Sequence, residues 1–221
     1  EDPDFIPPAK LWIFQSLLLL EVFEKMFSTT VLHQRAHIHH CSTLTLMRRG
    51  SSLVGRAALD FAPYDVDPTR TPPGPNGSVN TCGTAFAAFI IDTTHATMFG
   101  HAAVMVAHEM RIPLPCDEAL WAAPSGAEVR SHEHSLTLSG YRPMSFLEAL
   151  KKTLNSQHVQ TNTFGRVTIM AGLMSVSWHM RMQDVRASSI GVGKQGSWSD
   201  QLASACDFWR RDFDASLAKS S

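Results

Sequence analysis

The sequence predicts an all-α fold: a single domain of about six to eight packed helices. Three observations carry that prediction. Apolar residues recur at helical spacing through several long runs, and no stretch sustains the two-residue alternation of a half-buried strand. Serine stands three residues ahead of an acid in Ser125-Gly-Ala-Glu128, Ser145-Phe-Leu-Glu148 and Ser197-Trp-Ser-Asp200, a spacing that opens helices. Apolar residues make up 44% of the chain and charged residues 18%, the balance of a chain that builds a core.

Residues 1–9 read as an acidic, proline-containing linker, and Pro7-Pro8 allows a first helix from Ala9 or Lys10. That helix runs to Phe27. Glu21, Glu24, Lys25 and Ser28 form one narrow polar stripe on it and the rest is apolar, so it is expected to be wrapped on most sides. Its most apolar run, "LWIFQSLLLLEVF", is 13 residues long and already holds Gln15 and Glu21. A membrane span needs about 20 apolar residues, so a buried helix is expected, with no membrane partner. The acidic residues ahead of it do not suit a cleavable signal.

A second helix covers residues 30–49 and stops at Gly50, with Arg48 and Arg49 in its last turn, where cations suit the helix dipole. Residues 60–83 hold five prolines and three glycines, which predicts a long, irregular loop near 61–83. A third, almost wholly apolar helix is expected over 84–110, at the centre of the fold. "RIPLPCDEALW" is a proline-broken turn before a short helical piece, and the capping boxes at Ser125 and Ser145 start the next two helices. A long helix fits "FGRVTIMAGLMSVSWHMRM". The last helix follows Ser197 and places Leu202, Cys206, Trp209, Phe213 and Leu217 near one face.

Charge excludes one class of function. With 19 basic and 20 acidic side chains the net charge is −1, and Arg48-Arg49 and Arg210-Arg211 are isolated pairs. A domain that itself grips a phosphate backbone carries a basic excess or stripe, so direct nucleic-acid binding by these residues is not expected. Cys41, Cys82, Cys116 and Cys206 contain no CxxC, so neither a local zinc finger nor a redox dithiol is built. Reduced thiols in an intracellular compartment are the expectation. The chain begins with Glu1 rather than methionine, which suggests a piece of something longer.

The densest chemistry lies in "HQRAHIHHC", His33 to Cys41. His33, His37 and His40 share a helix face, and His33 and His37, one turn apart, can reach one ion. His33 and His40 are separated by about 10 Å along the axis, whereas a zinc–imidazole bond is about 2 Å, so this helix cannot supply three ligands. A third would come from His95, His101, His108 or an acid elsewhere. Gln34 stands where a zinc protease of the HExxH type carries its glutamate, and an amide cannot take a proton from water. These imidazoles are therefore read as structural, hydrogen-bonded at a helix interface.

Asp92 and His95, at i and i+3, could form a carboxylate–imidazole pair, but no GxSxG nucleophile elbow accompanies them. Gly191, Gly193 and Gly196 match GxGxxG literally, yet follow a helix rather than a strand, so a hinge is the better account. Met170, Met174 and Met180 with Trp178 read as core filler. No catalytic, cofactor-binding or metal-binding residue is assigned.

Three blocks carry the reading further: "KLWIFQSLLLLEVFEKMFSTTVLHQRAHIHHCSTLTLMRRGSSLVGRAALD", "AFAAFIIDTTHATMFGHAAVMVAHEMRIPLPCDEALW" and "SFLEALKKTLNSQHVQTNTFGRVTIMAGLMSVSWHM". They resemble the regulatory, or middle homology, region of fungal-specific transcription factors, closest to the branch with upstream Cys2His2 zinc fingers. The resemblance spans 10–190, leaving 191–221 as a hinge and a C-terminal helix packed on the same domain. It implies a nuclear, non-enzymatic regulatory domain of a factor controlling RNA polymerase II genes. DNA and zinc would be bound by a finger module outside these residues, and no cofactor by these residues themselves. Coregulator proteins, an intramolecular segment or a second copy would be the partners.

The sequence departs from the family pattern just before "AFAAF". "PPGPNGSVNTCGT" stands where family members carry a helix with tryptophan, acids and paired arginines, which predicts low order over 61–83 and a groove where that helix would pack. Two other functions compete: a metal-dependent hydrolase using His33 and His37, and a small-molecule-sensing helical domain with an apolar pocket.

Overall fold

A computed structural model of the chain describes residues 11–27, 29–50, 75–115, 126–138, 140, 144–191 and 198–220. Seven α-helices are found among them: α1 (Leu11–Met26), α2 (Thr30–Gly50), α3 (Pro75–Phe99), α4 (Gly126–Leu138), α5 (Phe146–Leu154), α6 (Thr163–Ser189) and α7 (Trp198–Ser220). A short 3-10 turn covers Ala107–Glu109. The described residues contain no strand, only an isolated bridge between Pro113 and Ser145. The all-α expectation holds, and so does the number of helices.

Local chemistry sets several boundaries. Ser145 caps α5, its hydroxyl accepting from the Glu148 amide at 3.2 Å, and Lys151 and Lys152 sit in the last turn, where cations suit the carbonyl end. Asn162 caps α6 by accepting from Gly165 N at 2.8 Å. The other two boxes lose their serines to positions outside the described residues, yet α4 and α7 begin one residue beyond them, with Glu128 and Asp200 in their first turns.

The third helix differs at both ends from its expected span. It begins at Pro75, so the last nine residues of the proline-rich segment are already helical; 51–74, and with them any groove of a lost helix, lie outside the described residues. It ends at Phe99 rather than continuing to 110. Gly100 takes φ of +73°, a left-handed conformation only glycine adopts freely, and terminates the rod. The chain then doubles back, because both carboxylate oxygens of Asp92 accept the Val104 amide (3.2 and 3.0 Å) and one also accepts Met105 N at 2.7 Å. Met105, Ala107 and Met110 fill the core from this returning segment.

α3 is the central rod. It packs on α1, α4 and α6, while α7 covers α5 and α6. Phe86, Phe89, Phe146, Ile169 and Leu173 are sealed in the core these helices share. Phe146 meets both α3 phenylalanines with ring centroids 5.6 Å apart. Gly172 lets α5 approach α6: a β-carbon there would come within 2.9 Å of the Phe146 ring and 3.0 Å of Leu150. Trp209 fixes α7 by donating to the Arg166 carbonyl at 2.9 Å, and Arg166 pairs with Asp212. Leu202 and Ala205 are buried on the expected α7 face, which opens to solvent by Leu217.

α1 buries Ile13, Phe14 and Leu18 as expected, but its C-terminal half is arranged opposite to expectation. Its polar stripe is the buried one, with Glu21 and Glu24 sealed, whereas Leu19, Phe23, Met26 and Phe27 are exposed among the described residues. The inversion follows from α2, which presents Arg35, His39 and His40 to those carboxylates.

Candidate functional site

The imidazole face of α2 lies between α1 and α3. From α1, Glu24 accepts from Arg35 at 2.6 and 3.1 Å and from His39 Nδ1 at 2.8 Å. Burial would push the Glu24 carboxyl up, but the hydrogen bonds from Arg35 and His39 outweigh it and hold it below the usual value. Glu21 pairs with Lys25 on its own helix. Burial lowers the Lys25 ammonium, only partly offset by Glu21.

His40 completes this seam. Its Nε2 donates to Asp92 at 2.7 Å, and its Nδ1 lies 2.7 Å from Glu21 Oε1, an ion-pair distance without the alignment of a hydrogen bond. Burial disfavours the charged ring, but the two carboxylates prevail and raise its pKa. The expected Asp92–His95 pair is therefore not formed. Asp92 spends its oxygens on His40 and on the two amides of the returning segment, and three residues along α3 His95 points elsewhere.

His95 joins His33 and His37. One ring nitrogen from each lies within 4.8 Å of the other two. Their rings meet edge-on or tilted, at 5.6 Å for His33–His37, 6.3 Å for His33–His95 and 4.2 Å for His37–His95. His101, on the segment after Gly100, lies over His37 at 3.9 Å and over His95 at 5.0 Å. Phe99 closes one side, 4.7 Å from His33 and 5.1 Å from His95.

Burial, reinforced by Lys25 and the neighbouring imidazoles, drives His95 down to about 3 and lowers His37. Both rings are neutral at pH 7. His33 Nδ1 lies 3.3 Å from the Lys25 carbonyl, which can only accept, so Nδ1 carries a proton and Nε2 is the nitrogen left to face the cluster. His95 Nε2 is buried without any hydrogen-bond partner.

Of the four candidate third partners for His33 and His37, the fold delivers His95, sets His101 alongside, and leaves His108 exposed on the 3-10 turn. Gln34 is exposed. Sequence reasoning missed the seam itself, although its signal was present: acids at 21 and 24 in an apolar helix, followed by basic side chains at 35, 39 and 40 in the next. It also read Met174 and Trp178 as core filler, whereas they line a cleft of about 340 Å³ with Ala96, Leu173, Met182 and Cys206.

A protein-family model described as the fungal specific transcription factor domain matches residues 1–211. The chain belongs to the fungal specific transcription factor domain family. It is 30% identical, over 94% of its length, to a nicotinate catabolism cluster-specific transcription factor of Emericella nidulans, of which it covers 24%. It is 28% identical over 96% of its length to zinc finger protein klf1 of Schizosaccharomyces pombe, covering 28% of that protein, and 22% identical over 94% to zinc finger protein zas1 of the same yeast, covering 24%. This transcription-factor domain thus spans about a quarter of the length of the curated relatives it matches. No solved structure matches it. No helix among its described residues is long and apolar enough to cross a membrane. Nothing in these relationships, and no base at Gln34, favours a hydrolase.

Proposed function

We propose that this domain is the non-enzymatic regulatory region of a nuclear, sequence-specific fungal transcription factor. DNA contact would be made by a zinc-finger module outside these residues, and the domain would act through coregulators, intramolecular docking or a second copy. The observation that carries this reading is the family match over 1–211 together with relatives that are four times longer, two of them named as zinc finger proteins. The near-neutral charge supports it, since a chain at −1 lacks the electrostatic footprint of a DNA-binding surface. The test is a pair of assays. The 221-residue chain alone should leave duplex DNA unshifted in a gel, and fused to an unrelated DNA-binding domain it should change transcription from a reporter. Sequence-specific retardation by the chain alone, or a silent fusion, would overturn the proposal.

The cleft of about 340 Å³ beside Trp178 favours a second reading, in which a small apolar molecule is sensed between α3, α6 and α7. Quenching of tryptophan fluorescence by such a ligand, lost in Trp178→Ala, would support it.

A further inference from the structure

We propose that His33, His37 and His95 form a transition-metal site, Zn²⁺ foremost, that ties α2 to α3. This inference stands apart from the regulatory reading and from any hydrolytic chemistry.

Four observations converge on it. The first is donor geometry. Two imidazoles one turn apart on α2 and a third from α3 already bring three ring nitrogens within 4.8 Å of one another. Around a tetrahedral zinc with bonds of about 2.0–2.1 Å the nitrogens stand about 3.4 Å apart, so the set must contract by at most about 1.4 Å. His33 and His37, both only partly buried, can supply that by side-chain rotation, while buried His95 provides the fixed point.

The second is orientation. His33 gives its Nδ1 proton to the Lys25 carbonyl, the arrangement by which metal-bound imidazoles are held through their other nitrogen. The third is an unmet need. His95 Nε2 is buried with no partner, and buried polar atoms without partners are uncommon in folded proteins. A metal ion would supply the missing interaction.

The fourth is charge. His40, the one imidazole of this face held between two carboxylates, commits both ring nitrogens to the Asp92–Glu21 seam, its ring 6.0 Å from that of His95, so the two acids offset its charge beside the site. Lys25, the nearest ammonium, is matched by Glu21, so it does not confront an incoming cation unopposed. Three imidazoles leave one tetrahedral position, faced by His101 or solvent. Imidazole donors suit zinc and copper over magnesium or calcium.

The experiment uses the 221-residue chain without a histidine tag. After loading with Zn²⁺ and exhaustive dialysis, one ion should remain per chain, and its melting temperature should rise. Co²⁺ should give the visible absorption of a tetrahedral nitrogen site. His33→Ala and His37→Ala, at partly exposed positions, should keep their helical circular dichroism yet bind zinc at least about tenfold more weakly. His132→Ala, an exposed histidine on α4, should bind as the wild type does. Should His95→Ala fail to fold, the two α2 variants still decide the question. No retained zinc, or unchanged binding in the His33→Ala/His37→Ala double variant, would overturn the proposal.

Discussion

The two interfaces of α3 are built on opposite principles. Toward α6 and α5 it buries Phe86 and Phe89 against Phe146, Ile169 and Leu173, a contact with no charge in it. Toward α2 its Asp92 meets His40, which in turn faces Glu21 of α1, and all three are sealed from solvent. The apolar side tolerates small errors in proportion to volume removed. The polar side does not, because each partner there holds another in its charged or bonded state. Removing one leaves a buried charge without compensation, which destabilises more than the intact pair ever stabilised.

The largest effect should therefore come from Asp92→Ala. It strips His40 of one of its two carboxylates and removes the acceptor that holds the Val104 and Met105 amides, a loss of about 3–5 kcal/mol in urea unfolding. If the loss is under about 1 kcal/mol, the seam is not a cooperative network and the contrast fails. Leu173→Ala, a cavity in the apolar interface, should lose about 3 kcal/mol with the rest of the fold intact. The contrast sharpens if Leu173→Ala adds to Phe89→Ala near-independently while Asp92→Ala and a His40 substitution do not add.

pH separates the two interfaces more gently. Glu24 is held below its ordinary value of 4.5, so the stability it contributes is full above 4.5 and is lost as pH falls through its folded value. His40 is raised above 6.5, so its contribution is full below 6.5 and disappears as pH rises through the raised value. Both are complete only between about 4.5 and 6.5. The stability gap between wild type and Glu24→Gln should narrow as the pH is lowered below 4.5, as measured by denaturation at each pH. The gap for Leu173→Ala should stay flat. A Glu24→Gln gap that does not narrow would remove Glu24 from the seam's account. The smallest effect belongs to Ser145→Ala, which deletes the α5 cap and should lower stability by about 1 kcal/mol.

How far the sequence could be read divides along the same line. The capping box at Ser145, the core character of α3 and α6 and the inward face of α7 are legible because periodicity and caps are local. The end of α3 was not. Residues 101–110 continue its apolar pattern, and only the pull of Asp92 on the 104 and 105 amides shows that the chain turns back at Gly100. The site was half legible: His33 and His37 announce themselves at one turn's spacing, but His95, His101 and His108 were equal candidates until the break at Gly100 set one in place, one alongside and one outside.

The sequence by itself determined that the chain is helical, roughly where the helices begin, which side chains can cap them and that two imidazoles share a turn. Those are consequences of bonds between residues three or four apart. Which way α1 faces, that Asp92 belongs to His40 across 52 positions rather than to His95 three away, and that His95 completes the cluster were decided only by tertiary packing. An acid in an apolar helix can face water or a cation equally well by any local rule, and only the arrival of a second helix makes burial the lower free energy.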